Sequence, residues 1–277
     1  MTLGEGLGEA ERRLAAAGVS SPRVDAELLL GKALGSTRTA LYADAGRELA
    51  ERESADLERL VARRVAREPL AYILGEWGFR RLTLKVDRRV LVPRPETEVV
   101  VERCLELLRG LDRPAVLDVG TGSGAIALAI ADEHPGSRVS AIDVSAGALE
   151  VARENARATG IEVAFAEQDV REGLEGRYDL VVSNPPYVTA AEIETLEPEV
   201  RDWEPRIATV GEEHTRTIAA ASAGVLVHGG HLVLEVADGR AEEVSQVLRR
   251  LGYEDVRRSE DLTGRDRVVE GRWSSGR

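Results

Sequence analysis

Ser183-Asn184-Pro185-Pro186-Tyr187 stands at the carboxyl end of an apolar strand candidate, Tyr178 to Ser183, and carries the most specific chemistry in the chain. Two consecutive prolines have no N–H and fix their own φ, so the loop is stiff and presents bare carbonyl oxygens. Asn184 adds a side-chain acceptor beside them. A planar NH2 group would be held by two acceptors, the Asn184 side-chain oxygen and the Pro185 carbonyl, with Tyr187 stacking on its flat π system. A nitrogen of this kind is a poor nucleophile, because its lone pair is delocalised and no ordinary side chain is basic enough to deprotonate it first.

A second constellation lies upstream. In Val116-Leu117-Asp118-Val119-Gly120-Thr121-Gly122-Ser123-Gly124-Ala125, glycines at 120, 122 and 124 let the backbone turn tightly and approach a ligand beside a helix N-terminus. Asp143 ends the next strand, where an acid accepts hydrogen bonds from both ribose hydroxyls of a nucleoside. Asp169 follows the third strand, placed to receive an adenine amino group beside the apolar side of Val170. Together these point to an adenosine-type cofactor. Orienting the NH2 nitrogen in line with a sulfonium methyl group would then supply up to about 7 to 11 kcal/mol of the barrier through geometry. The two acceptors interact more strongly as the nitrogen gains positive character. The same glycines also satisfy the dinucleotide fingerprint with Ala125 in the last place. A nicotinamide oxidoreductase, however, leaves Asn184 to Tyr187 without a role, and His134, His214, His228 and His231 fall at helix ends or loops.

The elements that must position these residues follow from periodicity. Before residue 75 the pattern is helical: Leu3, Leu7 and Leu14 share a face up to Gly18, Ser21-Pro22 opens a helix over Val24 to Leu34, and Leu57, Leu60, Val61 and Val65 lie at helical spacing. Phe79 to Val92 predicts a β-hairpin, with Leu82, Leu84 and Val86 alternating before Asp87-Arg88-Arg89 and Val90-Leu91-Val92 after it. From Ala115 strands and helices alternate. Strands are predicted at 115–119, 138–142, 161–166, 178–183 and 231–236, with weaker ones at 253–257 and 267–269. Helices are predicted at 124–133, 146–158, 215–227 and 241–251. Such alternation makes an α/β fold with a mainly parallel sheet and helices on both faces.

Composition sets the outer bounds. The 277 residues are 43% hydrophobic and 31% charged, with a formal net charge of −12. Residues 1–75 hold 11 basic and 12 acidic side chains, so −11 of that charge belongs to the remainder. A nucleic-acid grip usually shows a basic footprint, which counts against an adenine or guanine N-methyltransferase acting on a flipped base. No apolar run is long enough for a membrane span, and Met1 to Glu11 carries acids where a secretory signal has a basic start. Cys104 is the single cysteine, which excludes an internal disulfide framework and a cysteine metal cluster and fits a reducing cytoplasm.

With these motifs the chain resembles the class I S-adenosylmethionine-dependent methyltransferases that modify a planar NH2 group. Within them it is most similar to the bacterial release factor glutamine methyltransferases. The similarity covers nearly the whole chain, including Ser21 to Leu30, Glu68 to Gly75, Phe79, Val90-Leu91-Val92-Pro93-Arg94-Pro95-Glu96-Thr97-Glu98, and Asp261 to Val268. It implies a Rossmann-like, seven-stranded mixed sheet whose last strand is antiparallel. The domains it implies are a helical substrate-docking domain at 1–75, a β-hairpin linker at 76–95 and a cofactor-binding domain at 96–277. It further implies transfer of a methyl group from S-adenosyl-L-methionine to the side-chain amide N5 of the glutamine in the Gly-Gly-Gln motif of peptide chain release factors. Gly120, Thr121, Gly122, Ser123 and Gly124 would wrap the methionine and ribose, Asp143 would bind the ribose, and Asp169 and Val170 would flank adenine. Asn184, Pro185, Pro186 and Tyr187 would hold the glutamine, with Asn184 also touching the cofactor and Asn184 and Pro185 acting in catalysis. No metal, nucleic acid or membrane is implied, and the protein is expected as a cytoplasmic monomer. A sister group that methylates a glutamine of a ribosomal protein is the nearest alternative. The sequence departs from the family at Val210-Gly211-Glu212-Glu213-His214 and at Val236-Ala237-Asp238-Gly239-Arg240.

Overall fold

Thr2 opens the first helix through a reciprocal cap: its hydroxyl accepts the Glu5 N–H at 3.2 Å while the Glu5 carboxylate accepts the Thr2 N–H at 2.8 Å. The computed structural model describes residues 1–211 and 213–274, and Glu212, in the middle of the departing 210–214 stretch, lies outside the described residues. The chain divides into two units, one made of 1–75 and 197–203, the other of 76–196 and 204 onward.

The first unit is helical: α1 (Leu3–Ala16), α2 (Pro22–Leu34), α3 (Arg38–Ala43), α4 (Glu51–Val65) and α5 (Leu70–Leu74). Pro22 occupies the first turn of α2 and Gly35 ends it in the left-handed conformation at φ 60°. Leu7, Leu14, Leu29, Leu30, Leu57, Leu60, Val61 and Ile73 form its core. Two short helices, α3 and α5, were not legible in the sequence, because runs of five or six residues are too short to show a 3.6-residue period. On α4, Arg64 is buried beside the expected apolar positions. Its guanidinium donates to Asp25 at 2.7 Å and to Glu199 at 2.7 Å. Glu199 lies in 197–203, the segment that returns from the second part of the chain to this unit.

The second unit begins with a hairpin, β1 (Glu76–Phe79) and β2 (Leu82–Lys85), which turns at Arg80-Arg81. This corrects the expected hairpin, whose second arm was Val90 to Val92. Those residues form no strand; Val90 and Val92 are buried as irregular backbone instead. Their apolar character reflects packing, not pairing.

The main sheet contains β3 (Ala115–Val119), β4 (Arg138–Asp143), β5 (Ala164–Glu167), β6 (Tyr178–Ser183), β7 (Leu226–Glu235), β8 (Tyr253–Glu260) and β9 (Asp266–Trp273), in the order β5-β4-β3-β6-β7-β9-β8. β9 runs antiparallel to both its neighbours, and the remaining pairs are parallel. The helices are α6 (Thr97–Leu108), α7 (Ala125–Glu133), α8 (Ala146–Thr159), α9 (Pro198–Arg201, in the first unit), α10 (Arg206–Thr209), α11 (His214–Ala223) and α12 (Ala241–Leu251). β3 is buried along its whole length, as a central parallel strand covered on both faces must be. Val116, Leu180, Val182 and Val233 pack with α6 and α7 on one face. Leu117, Val119, Val181, Leu232 and Leu234 pack with Ile218 and Leu248 on the other. The helix predicted to run to Val227 stops at Ala223, because Leu226 already pairs with Tyr178 in the sheet. β5, an edge strand, starts at Ala164 rather than Ile161 and pairs only with β4.

Candidate functional site

The carboxyl ends of β3, β4, β5 and β6 surround a cavity of about 410 Å³, at the place where open parallel sheets bind ligands. Its wall includes Gly120 to Ser123 after β3, Asp143 after β4, Asp169 and Val170 after β5, and Asn184 to Pro186 after β6. Val90, Leu91 and Pro93 close one side. Ten of the twelve residues expected at the site therefore meet in one cavity; Gly124 and Tyr187 do not line it.

Gly120 and Gly122 have φ of 76° and 56°, and a Cβ on either would meet no protein atom within 4 Å. The loop thus leaves room on its cavity side that a side chain would occupy. Gly124 works from behind: a Cβ there would press on Leu128 at 3.2 Å and Ala152 at 3.3 Å, so its smallness lets α7 and α8 approach. The loop N–H groups are already engaged. Those of Gly120 and Thr121 donate to the Ile142 carbonyl at 2.9 and 3.0 Å, and that of Gly124 to Thr121. The Gly122 N–H donates to Asp143 Oδ2 at 2.9 Å. A pyrophosphate, which binds such loops through free N–H groups, finds none at these four positions, and this disfavours the dinucleotide reading.

Asp143 also accepts the Ser145 N–H on Oδ1 at 2.9 Å, which leaves one lone-pair direction on each oxygen for a diol. Burial pushes its carboxyl above the ordinary value. Asp118 underlies the loop, fully buried, and accepts the Thr121 hydroxyl at 2.6 Å; burial pushes it up to about 7. Asp169 caps a short turn and is chelated by the Arg171 guanidinium, which together with the Arg171 N–H holds its carboxyl down at about 2. Arg89 and Arg94 on the wall are paired too, with Asp87 and Glu204. A ligand with two hydroxyls, a flat apolar base and a positive centre, and with no phosphate, fits this set of donors and acceptors. S-adenosylmethionine has that chemistry.

On the opposite wall the Ser183 hydroxyl donates to the Val119 carbonyl at 2.6 Å, tying the start of the Asn-Pro-Pro-Tyr loop to the central strand. Asn184 Nδ2 donates to Thr97 Oγ1 at 3.3 Å, and the Thr97 hydroxyl donates to Glu235 Oε2 at 2.7 Å. Glu235 is almost wholly buried and is pushed up to about 7, chiefly by burial. Tyr187 is half-buried with Glu235 nearby, and burial first and the Glu235 charge second raise its hydroxyl to about 12.

Thr97, Glu235 and Asp118 were missed as site residues by motif reasoning. Signals for them existed. Thr97 lies inside the Pro93 to Glu98 stretch, and Glu235 is an acid directly after the apolar run Leu232-Val233-Leu234, at the carboxyl end of its strand, the same positional mark that singled out Asp143.

Sheet order, glycine loop and strand-end acids define a class I methyltransferase. Residues 5–75 match the PrmC N-terminal domain and residues 99–198 the methyltransferase small domain. The chain is 44% identical to a release factor glutamine methyltransferase of Deinococcus radiodurans, with all of both chains covered. It is 43% identical to one of Geobacter sulfurreducens, over 94% of this chain and 92% of that one. Among solved structures, a methyltransferase from Pyrococcus furiosus shares the fold with a TM-score of 0.51 at 19% identity, over 70% of this chain and 89% of that one. The chain belongs to the release factor glutamine methyltransferase family.

Proposed function

We propose that this protein transfers the methyl group of S-adenosyl-L-methionine to the side-chain amide nitrogen of the glutamine in the Gly-Gly-Gln motif of a peptide chain release factor. One observation carries the reading beyond family membership. Asn184 is anchored through its Nδ2, so its Oδ1 is the atom left for a ligand, on a cavity wall shared with the glycine loop.

S-adenosyl-L-methionine, when bound, supplies a methyl group activated on a sulfonium. Gly120 to Ser123 give its methionine and ribose room, Asp143 accepts the ribose hydroxyls, and Asp169 and Val170 flank adenine. Gly124 sets the loop against α8. Asn184 Oδ1 and the Pro185 carbonyl accept the two hydrogens of the glutamine NH2, which fixes the nitrogen plane. Pro186 stiffens the loop, and Tyr187, next in the chain, flanks the flat glutamine amide. Both acceptors favour the nitrogen more as it becomes positive, so they stabilise the transition state beyond the ground state. The nitrogen's proton then leaves to water.

The helical unit at 1–75, matched as a domain of its own, is read as the surface that docks the release factor. The hairpin at 76–85 and the connector to Pro95 link it to the methyltransferase domain from 96 onward. The protein is read as a cytoplasmic monomer that does not bind nucleic acid. The acidity of its second part supports the absence of a nucleic-acid grip, and among the described residues no helix is long and apolar enough to cross a membrane. The test is incubation with S-adenosylmethionine and a purified release factor, beside a copy whose Gly-Gly-Gln glutamine is alanine, followed by peptide mass spectrometry. A single added methyl on that glutamine, absent from the altered copy, is expected. An unmodified release factor would overturn the substrate assignment, and a ribosomal protein would then be tested.

A further inference from the structure

Asn184 must not present the wrong end of its side chain. Oδ1 and Nδ2 are nearly the same size, and a carboxamide turns about a broad, two-fold χ2. One orientation offers an acceptor to the substrate NH2, whereas the other sets donor against donor. The neighbours decide between them. Glu235, 2% exposed at the end of β7, accepts the Thr97 hydroxyl at 2.7 Å. A hydroxyl has one hydrogen, so Thr97 Oγ1 has only lone pairs left for Asn184, whose Nδ2 lies 3.3 Å away. Among the described residues no protein donor reaches Asn184 Oδ1.

Building on the methyl-transfer reading, we propose that Thr97 and Glu235 are positioning residues. Glu235 holds the Thr97 hydroxyl as an acceptor toward Asn184, and this turns Asn184 Oδ1 toward the substrate nitrogen. Thr97 is on the cavity wall and Glu235 is not, so the hydrogen bond from Glu235 reaches Asn184 through the Thr97 hydroxyl.

The relay has a direction that a proton reverses. A protonated Glu235 has an O–H that can donate to Thr97 Oγ1, and in that arrangement the Thr97 hydrogen is free for Asn184 Oδ1, so the orientation of Asn184 is no longer fixed. Facing Glu235 are the Thr97 hydroxyl, Arg267 and Arg94, which favour the carboxylate, and Glu96, which opposes it; the Tyr187 hydroxyl is also close. With Glu235 raised to about 7, the carboxylate forms as pH rises through that value. At saturating cofactor, kcat is therefore lost as pH falls through the same range.

The test uses the full chain with a purified release factor as methyl acceptor, and measures kcat, both KM values and S-adenosylmethionine affinity by calorimetry. Thr97→Val, which keeps the volume and removes the hydroxyl, is expected to lower kcat about tenfold, the scale of one oriented hydrogen bond, with cofactor Kd changed less than about threefold. Thr97→Ser is expected to keep at least about half of kcat, since it retains the hydroxyl. Glu235→Met, close in volume and without an acceptor, is expected to match the Thr97→Val loss and to remove the acid limb of kcat; it decides the matter should Thr97→Val not bind cofactor. Unchanged kcat in Thr97→Val and Glu235→Met, or Thr97→Ser as slow as Thr97→Val, would overturn the relay and leave the methyl-transfer reading standing. A loss confined to cofactor affinity assigns a merely structural role and overturns it as well. Failure of the unaltered protein to methylate the release factor would instead overturn both.

Discussion

Replacing Asp143 by asparagine exchanges one oxygen for an NH2 group and should weaken S-adenosylmethionine binding by about two orders of magnitude. The two carboxylate oxygens are used separately: Oδ2 accepts the Gly122 N–H and Oδ1 the Ser145 N–H, each at 2.9 Å. Asparagine has a single carbonyl oxygen, so in either rotamer one of these N–H groups faces an NH2 group. The side chain also ceases to offer an acceptor to each ribose hydroxyl. Hydrogen bonds to a charged acceptor contribute about 1.5 to 3 kcal/mol each. Losing one and reducing the other to a neutral bond amounts to roughly 3 kcal/mol, or about 100-fold in Kd. Calorimetric titration measures this directly. pH supplies a second signature, since burial raises the Asp143 carboxyl above its ordinary value. In the unaltered protein affinity should fall as pH falls through that raised value, because the protonated acid has lost an acceptor, while the Asn variant should be flat. A Kd within threefold of the unaltered protein, or the same pH dependence in both, would refute the ribose assignment.

Two further outcomes are expected. Asn184→Ala removes the acceptor that orients the substrate nitrogen and should lower kcat about 100-fold with cofactor affinity kept; steady-state turnover equal to the unaltered protein would refute the role. Arg64→Met leaves Asp25 and Glu199 facing each other without the guanidinium that donates to both at 2.7 Å, and should cost about 3 to 5 kcal/mol in urea unfolding. A change under about 1 kcal/mol would show that these acids are hydrated rather than paired.

Much of the architecture could be read from the chain because its signals are local. β3 is a short all-apolar run interrupted only by Asp118, α8 keeps helical spacing until Gly160 stops it, and the strand-end acid Asp143 and the Asn-Pro-Pro-Tyr loop each stand where an apolar run ends. Proline, glycine and strand alternation act within a few residues, so sequence alone determined the α/β class, the helical first part, and the glycine, Asp143 and Asn184 positions. Tertiary structure decided what depends on partners far along the chain. Val90 and Val92 look like a strand arm but are buried as irregular backbone, and Leu226 belongs to a strand because it pairs with Tyr178 rather than continuing a helix. That a side chain at Gly124 would press on Ala152 of α8, and that the Glu235 charge reaches Tyr187, likewise follow only from the fold. The Thr97 hydroxyl that links Asn184 to Glu235 joins residues from three separate elements. No local pattern encodes such a contact, because hydrogen-bond direction depends on which atoms the fold brings within reach, and burial raises a carboxyl only once the surrounding sheet and helices have excluded water.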